Sequence, residues 1–245
     1  MNLVLFARAE LDRPIPPSDA RANHLREVLR RGEGEEFDLG VIDGPRGKGR
    51  ITSLPGDGSV QFTAVLGAEP PPLPALQLII GLPRPQTARK ILQECTALGV
   101  GALHFVATGR ADPNYAQSTL WSSGEWRMHL IEGAQQAFCT RLPAVTSGRP
   151  LAASLIGLPP DSVRLALDNY ESCAGLADVA IPAPLQAHTA ILALGPERGW
   201  APADRVALRA AGFTLVHLGP RILRAETACV AAISILKARL GWLAM

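Results

Sequence analysis

Two stretches of this chain place a Gly-Pro loop directly after an apolar strand. The first is "ILALGPERGW", from Ile191 to Trp200, and the second is "HLGPRILRAETA", from His217 to Ala228. Strands that are apolar along their whole length are typical of a parallel sheet covered on both faces. Ligands of such sheets bind beyond the carboxyl ends of the strands. The two loops are therefore predicted to share one binding site.

The sequence around these loops alternates between strand and helix patterns, which predicts an α/β fold for residues 71–245. The predicted strands are Leu76–Gly81, Leu103–Thr108, Val163–Asp168, Thr189–Gly195 and Thr214–Gly219. The predicted helices are Pro85–Val100, one long helix over about Thr119–Phe138, Ala201–Gly212 and Ala225–Gly241.

A proline-rich segment, Gly67–Gln77, precedes this region and favours an extended linker, so a domain boundary is expected near residue 70. Short strands separated by turn signals predict a small β-barrel for residues 1–70. The predicted strands are Leu3–Ala7, Glu35–Asp43, Gly47–Leu54 and Ser59–Leu66. One helix is predicted over Ser18–Arg31, with Ser18 or Asp19 as its cap.

Composition excludes several classes of protein. The 245 residues contain no G-x-G-x-x-G after the first strand, no P-loop and no G-x-S-x-G, which disfavours nicotinamide, P-loop nucleotide and α/β-hydrolase chemistry. No metal-ligand spacing, long apolar run or signal peptide is apparent, so we expect a cytoplasmic protein without a metal or a membrane span. The net charge is +2, and of the 24 basic residues only three are Lys. Arginine suits phosphate contacts, although a GC-rich genome would produce the same bias.

The first loop has the composition of a ligand-binding turn. Gly195 and Gly199 carry no Cβ and let the backbone approach a ligand, while Pro196 restricts the loop in advance. Such a loop can offer its N–H and C=O groups to a purine edge. A plain strand-to-helix turn, with Pro202 starting the next helix, is the alternative for one loop alone. Two matching loops at neighbouring strand ends favour the binding site.

The two loops together carry a resemblance to a known family. "LGPERGW", "AGF" and "LGPRILRAETA" resemble the C-terminal signature of the RsmE family, the 16S ribosomal RNA uridine-N3 methyltransferases of the SPOUT class. Weaker likeness extends upstream, through "NHLREVLRRGEGEEFDLGVIDGPRG", "ILQECTALGV" and "EGAQQA". The chain departs from the family pattern at Arg198, where glycine is usual, at Glu94 for lysine, at Ala97 for glutamate, and at Ala137–Cys139 for S-G-R.

The resemblance implies a deep C-terminal trefoil knot in residues 71–245 and a PUA-like, RNA-binding barrel in residues 1–70. It also implies a homodimer through the last helix, S-adenosyl-L-methionine as cofactor, and 16S ribosomal RNA or the 30S subunit as partner. The apolar residues of the last helix occupy more than one face, which agrees with a helix buried on two sides. The expected cofactor-binding residues are Leu167, Leu194, Gly195, Pro196, Glu197, Gly199, Leu218, Gly219, Ile222, Leu223, Arg224 and Thr227.

Methylation of uridine N3 requires a group that stabilises the charge left when the nitrogen loses its proton. Arg224 is the first candidate, because a guanidinium near the uracil oxygens would stabilise that charge. Its alternative role is an ion pair with Glu226 or Glu197. Glu226 is the second catalytic candidate, as a base, or else it orients Arg224 or caps the last helix.

The expected RNA contacts of the small domain are clustered in two places, on the helix of residues 18–31 and in the hairpin of residues 46–50. Residues 1–74 have a net charge of −2, so the prediction depends on a local patch. In the rest of the chain, the resemblance implies that Arg110 faces RNA, and Arg198 is expected to reach an RNA phosphate or the methionine carboxylate of the cofactor. The candidates are His24, Arg26, Arg30, Arg46, Lys48, Arg110 and Arg198. The alternatives are an ordinary solvated face for the two clusters, a helix cap for His24 and a solvated side chain for Arg198.

Three functions remain open from the sequence. The favoured one is methylation of N3 of a uridine in 16S ribosomal RNA. The second is methylation of a different RNA position by the same fold. The third is a catalytically inactive RNA-binding factor for ribosome assembly, which the retention of both Gly-Pro loops disfavours.

Overall fold

The structure, a computed structural model, describes residues 3–181 and 189–243. The chain divides into two units. The small unit comprises Met1–Pro72 together with Ala134–Leu142, and the large unit comprises Leu73–Gly133 and Pro143–Met245. The segment Ala134–Leu142 thus belongs to the small unit although it follows a long stretch of the large one.

The small unit contains a four-stranded sheet in the order β1-β2-β3-β4. The strands are β1 Leu3–Phe6, β2 Glu36–Val41, β3 Arg46–Ser53 and β4 Gln61–Leu66. β1 runs parallel to β2, and the other two pairs are antiparallel. Each of these strands lies within two residues of the bounds that the turn signals predicted. Val4, Phe6, Leu25 and Ile51 are buried in a common core.

The predicted helix of the small unit is present but irregular. It comprises α1, Ala20–Asn23, and a π-helical turn over His24–Val28. Asp19 is the cap, because its carboxylate accepts a hydrogen bond from the Arg21 N–H at 2.8 Å. The Arg21 guanidinium lies 2.7 Å from both Asp19 and Glu10, and these contacts lower the pKa of each carboxyl group.

The large unit contains a seven-stranded sheet in the order β7-β6-β5-β10-β8-β11-β9, and every strand pair in it is parallel. The strands are β5 Leu76–Gly81, β6 Ala102–Ala107, β7 Ala144–Pro150, β8 Val163–Leu167, β9 Ala174–Gly175, β10 Ala190–Leu194 and β11 Thr214–His217. The predicted α/β fold with a parallel sheet is confirmed. β7 and β9 were not predicted, because β7 is an exposed edge strand without an apolar run and β9 has two residues.

The helices of the large unit are α2 Pro85–Ala97, α3 Thr119–Ser122, α4 Trp126–Gln136, α5 Leu151–Ser154, α6 Pro202–Ala210 and α7 Ala225–Arg239. The single long helix predicted over Thr119–Phe138 is wrong. The chain breaks between α3 and α4, where Gly124 adopts a φ of +79°, a conformation that a continuous α-helix does not contain. None of the helices in the described ranges is long and apolar enough to cross a bilayer.

β10 is central in the sheet and all five of its residues are buried. It pairs with β5 on one side and β8 on the other, and β11 lies beyond β8. Because all these strands are parallel, their carboxyl ends lie on the same edge of the sheet. The loops that follow β8, β10 and β11 therefore meet there.

Gly133 allows α4 to pack closely on α2, because a Cβ at this position would overlap the Gln93 carbonyl oxygen and lie 3.0 Å from the Thr96 Cβ. Replacing glycine by alanine within a helix normally stabilises it by about 0.5–1 kcal/mol. We expect the opposite sign for Gly133→Ala, a loss of about 1–3 kcal/mol in the free energy of unfolding, because the helices must move apart. Gly56→Ala is the control, since its Cβ would meet nothing within 4 Å. Denaturant unfolding measures both, and a stabilised Gly133→Ala variant would refute this packing.

Candidate active site

Three loops at the carboxyl edge of the large-unit sheet enclose a cleft of about 180 Å³. We call them the β8 loop (168–171), the first Gly-Pro loop (195–200) and the second Gly-Pro loop (218–224). A neighbouring depression shares Asn169, Tyr170 and Ile222 with the cleft. The predicted meeting of the two Gly-Pro loops is confirmed.

The first Gly-Pro loop is shaped by its own glycines. A Cβ on Gly195 would lie 3.0 Å from the Gly199 carbonyl carbon and 3.1 Å from the Trp200 nitrogen, so only glycine fits without a shift. Gly199 has a φ of +68°, and its N–H donates to the Pro196 carbonyl at 2.7 Å. The glycines are therefore required for the loop to close. This role is additional to the one predicted from the sequence, which is to let a ligand approach the backbone.

Two neighbours hold this loop in place. The Trp200 ring is 1% exposed, and its indole N–H donates to the Leu167 carbonyl at 2.9 Å, which joins the loop to the end of β8. On the other side, Pro196 lies against Gly81 at the end of β5, where a Cβ would come within 2.7 Å of the Pro196 nitrogen. The loop is thus fixed between two strands that flank β10.

The β8 loop is organised by Asp168. Its carboxylate accepts hydrogen bonds from the N–H groups of Tyr170 at 2.7 Å and Glu171 at 2.6 Å. It also accepts one from Arg205 Nε at 2.6 Å, and the two paired side chains are 1% and 6% exposed. The Arg205 guanidinium lies 5.3 Å from the centre of the Tyr170 ring, which is held at the mouth of the cleft. Neither residue of this pair was among the predicted site residues, because an aspartate after a strand is only a weak turn signal.

The cleft contains nine of the twelve residues expected to bind a cofactor. They are Leu167, Leu194, Gly195, Pro196, Glu197, Gly199, Leu218, Ile222 and Leu223. Gly219 lines the neighbouring depression, while Arg224 and Thr227 line neither. Arg198, expected as an RNA contact, also lines the cleft. Seven further residues of the lining were not among the cofactor candidates: Asp168, Asn169, Tyr170, Trp200, Arg221, Ala225 and Ala228.

The catalytic candidates lie at the start of α7. Arg224 is the residue that precedes the helix, its side chain is exposed, and the residues on either side of it, Leu223 and Ala225, line the cleft. Glu226 lies 3.3 Å from Lys90 Nζ of α2, while Glu197 accepts the Arg84 N–H at 3.0 Å. Neither carboxylate is paired with the Arg224 guanidinium in the described part of the chain.

The residues expected to contact RNA differ in the partners that they have in the structure. In the large unit, Arg110 Nη1 donates to the Arg198 carbonyl at 3.0 Å, and both side chains are exposed. In the small unit, Lys48 is ion-paired at 2.7 Å, and Arg46 donates to the Phe138 carbonyl at 2.9 Å. Arg26 reaches two backbone carbonyls at 3.3 and 3.4 Å.

His24 of the small unit is partly buried, while Arg30 is exposed and has a φ of +50°. Within residues 3–181 and 189–243, no group of three or more His, Cys, Asp or Glu side chains could hold a metal ion.

Comparison with known proteins identifies the family. The model of the RNA methyltransferase domain matches residues 69–237. Ribosomal RNA small subunit methyltransferase E of Treponema pallidum is 33% identical, over 97% of this chain and 91% of its own. Ribosomal RNA small subunit methyltransferase E 1 of Borreliella burgdorferi is 27% identical, over 95% of each chain. The fold also matches the crystal structure of ribosomal RNA small subunit methyltransferase E from Neisseria gonorrhoeae bound to S-adenosyl methionine, with a TM-score of 0.77, 24% identity and 98% coverage of both chains.

The indole hydrogen bond of Trp200 should contribute measurably to stability. Trp200→Phe keeps most of the buried ring but removes the donor to Leu167, so we expect a loss of about 1–2 kcal/mol in the free energy of unfolding. Trp126→Phe is the control, because Trp126 is partly exposed and its indole makes no hydrogen bond with the described residues. Its unfolding free energy should change by less than about 0.5 kcal/mol. Equal stability of both variants would show that the bond does not hold the loop.

Proposed function

This chain belongs to the ribosomal RNA small subunit methyltransferase E family, and from this we propose that it transfers a methyl group from S-adenosyl-L-methionine to N3 of a uridine in 16S ribosomal RNA. One observation supports the site: the two family-signature loops and the β8 loop converge on a single cleft at the carboxyl edge of the parallel sheet.

The cleft suits an adenosine-containing cofactor. Leu167, Leu194 and Leu218 give it apolar walls, and Glu197 and Asn169 add polar groups, which is the usual mixture in small-molecule sites. The backbone of the first Gly-Pro loop is held by the contacts of Trp200 and Pro196, so its N–H and C=O groups can recognise the edge of a purine. When bound, S-adenosyl-L-methionine supplies a methyl group that its sulfonium has already activated. The protein must then align the acceptor nitrogen within about 3–3.5 Å of that methyl.

The acceptor nitrogen must lose its proton, and the negative charge that results spreads to the O2 and O4 oxygens of uracil. We assign stabilisation of this charge to Arg224. Its side chain is exposed, and the residues before and after it in the sequence both line the cleft. A guanidinium placed beside the uracil oxygens would stabilise such charge. Glu226 is paired with Lys90, so we assign it to the packing of α7 on α2 and not to proton transfer.

The finer features of the fold belong to the same proposal. We propose that the chain through the Gly-Pro loops forms a trefoil knot and that the small unit is a PUA-like, RNA-binding barrel. α7 buries Cys229, Ile233 and Leu236, while Val230 and Ile235 are only partly covered, which supports a symmetric dimer through this helix. A protein that modifies ribosomal RNA in bacteria works in the cytoplasm, where we place this one.

The cofactor assignment is tested by moving the first Gly-Pro loop without touching the cleft. Gly81→Ala places a Cβ against Pro196, so the loop must shift and the affinity for S-adenosyl-L-methionine should fall at least about tenfold, or 1.4 kcal/mol. Isothermal titration calorimetry measures this, and cooperative unfolding confirms that the variant is folded. Gly56→Ala should bind as the wild type does. Unchanged affinity in folded Gly81→Ala would contradict the assignment.

The role of Arg224 is tested by separating the chemical step from binding. We expect Arg224→Ala to lower the single-turnover rate of methyl transfer on unmethylated 30S subunits by about a hundredfold or more, since it removes a charge-stabilising donor. The dissociation constants for cofactor and subunit should change little. Arg209→Ala, which removes a surface arginine of α6 paired with Glu171, serves as the control. A wild-type rate for Arg224→Ala at saturating cofactor and subunit would exclude this role.

A further inference from the structure

Three arginines from separate segments surround the first Gly-Pro loop. Arg84 precedes α2, and its N–H donates to Glu197 Oε1 at 3.0 Å. Arg110 follows β6, and its guanidinium donates to the Arg198 carbonyl at 3.0 Å. Arg198 belongs to the loop itself. All three side chains are exposed, and we call them the rim arginines.

The position of the rim arginines is fixed by contacts of the backbone. Gly109, next to Arg110, donates its N–H to the Asp204 carboxylate at 3.2 Å, and this carboxylate also accepts the Ala201 N–H at 2.8 Å. The segment carrying Arg110 is therefore attached to the start of α6, immediately after the first Gly-Pro loop. Three cationic side chains are thus presented from a rigid base.

The charge of the rim arginines is not compensated by ion pairs. Within residues 3–181 and 189–243, none of their guanidinium groups lies within 4.0 Å of a carboxylate. The basic hairpin of the small unit differs, because Lys48 pairs with Asp38 at 2.7 Å and Arg50 with Glu36 at 3.1 Å. A phosphate that approached the hairpin would have to displace these carboxylates, whereas a phosphate at the rim would not.

We propose that Arg84, Arg110 and Arg198 form a phosphate-binding site at which the backbone of the RNA substrate docks beside the cleft, an inference that rests on the function proposed above. A guanidinium has five N–H donors in a planar fork, so Arg110 keeps donors for a phosphate after it has bound the loop carbonyl. Arg198 lines the cleft but Arg84 and Arg110 do not, so the cationic surface extends outward from the mouth. A cationic surface that extends beyond the cleft fits a polyanion better than it fits the single carboxylate of a cofactor.

The family resemblance accounts for only one of the rim arginines, because it implies that Arg110 faces RNA. Arg198 stands where the signature carries glycine, and no part of the resemblance concerned Arg84. The same chain lacks basic residues at Glu94 and at Ala137–Cys139, where the family pattern has them. Positive charge at the rim would replace part of the charge lost at those positions.

Binding of unmethylated 30S subunits at a series of salt concentrations tests the proposal. Arg84→Gln, Arg198→Gln and the variant with both changes remove the guanidinium charge at one or both positions of the rim and keep a polar side chain there. For each arginine that contacts a phosphate, the slope of log K against log salt should become shallower by about 0.7–0.9. The affinity of Arg84→Gln for S-adenosyl-L-methionine, measured by calorimetry, should stay within about threefold of wild type, because Arg84 does not line the cleft. Arg209→Gln, which removes a surface arginine already paired with Glu171, should leave the slope unchanged.

The results separate this inference from the proposed function. Wild-type protein that binds no S-adenosyl-L-methionine and methylates no subunit would overturn the function itself. Wild-type protein that methylates subunits, with an unchanged slope in the double variant, would overturn the rim site alone. A shallower slope in Arg26→Ala and Arg30→Ala, with none in the rim variants, would place the phosphate contacts on the small unit instead.

Discussion

The buried contact between Trp200 and the end of β8 is the interaction on which the cleft depends. The indole ring is buried beneath the first Gly-Pro loop, and its N–H donates a hydrogen bond to the Leu167 carbonyl. Because β8 and β10 are adjacent and parallel, this single side chain fixes the distance between the loops that follow them. Gly81, at the end of β5, also contributes, because its lack of a side chain leaves room for Pro196. Contacts of this kind restrict the loop, and a restricted loop loses less entropy when a ligand binds.

Buried electrostatics determine the rest of the site. Asp168 is almost fully covered and would be costly to bury alone, but Arg205 and two backbone N–H groups satisfy its oxygens. That network orders the β8 loop and places the Tyr170 ring over Arg205 at the mouth of the cleft. Asp168 is thus used to organise the β8 loop. Within residues 3–181 and 189–243, the rim arginines and Arg224 have no carboxylate partner of this kind.

The sequence predicted those features that depend on local patterns. Continuous apolar runs located β5, β8, β10 and β11, and the Gly-Pro loops located the cleft, because burial on two faces and tight turns leave signatures in neighbouring residues. The break at Gly124 was missed, since one glycine within an otherwise helical pattern is compatible with a helix. The Asp168–Arg205 pair joins positions 37 residues apart, and no spacing rule connects them. The ion pairs of the basic hairpin also could not be predicted, because a count of charges does not show that Lys48 already has a partner.

The central claim is that this cleft directs methylation of a single uridine in the small ribosomal subunit. Nucleoside mass spectrometry of 16S ribosomal RNA tests it most directly, comparing cells with the gene, cells without it, and deleted cells that express Arg224→Ala. The account predicts that one 3-methyluridine is lost on deletion, is restored by the wild-type gene and is not restored by the variant. An unchanged set of modified nucleosides after deletion, or the loss of a different modification, would contradict it.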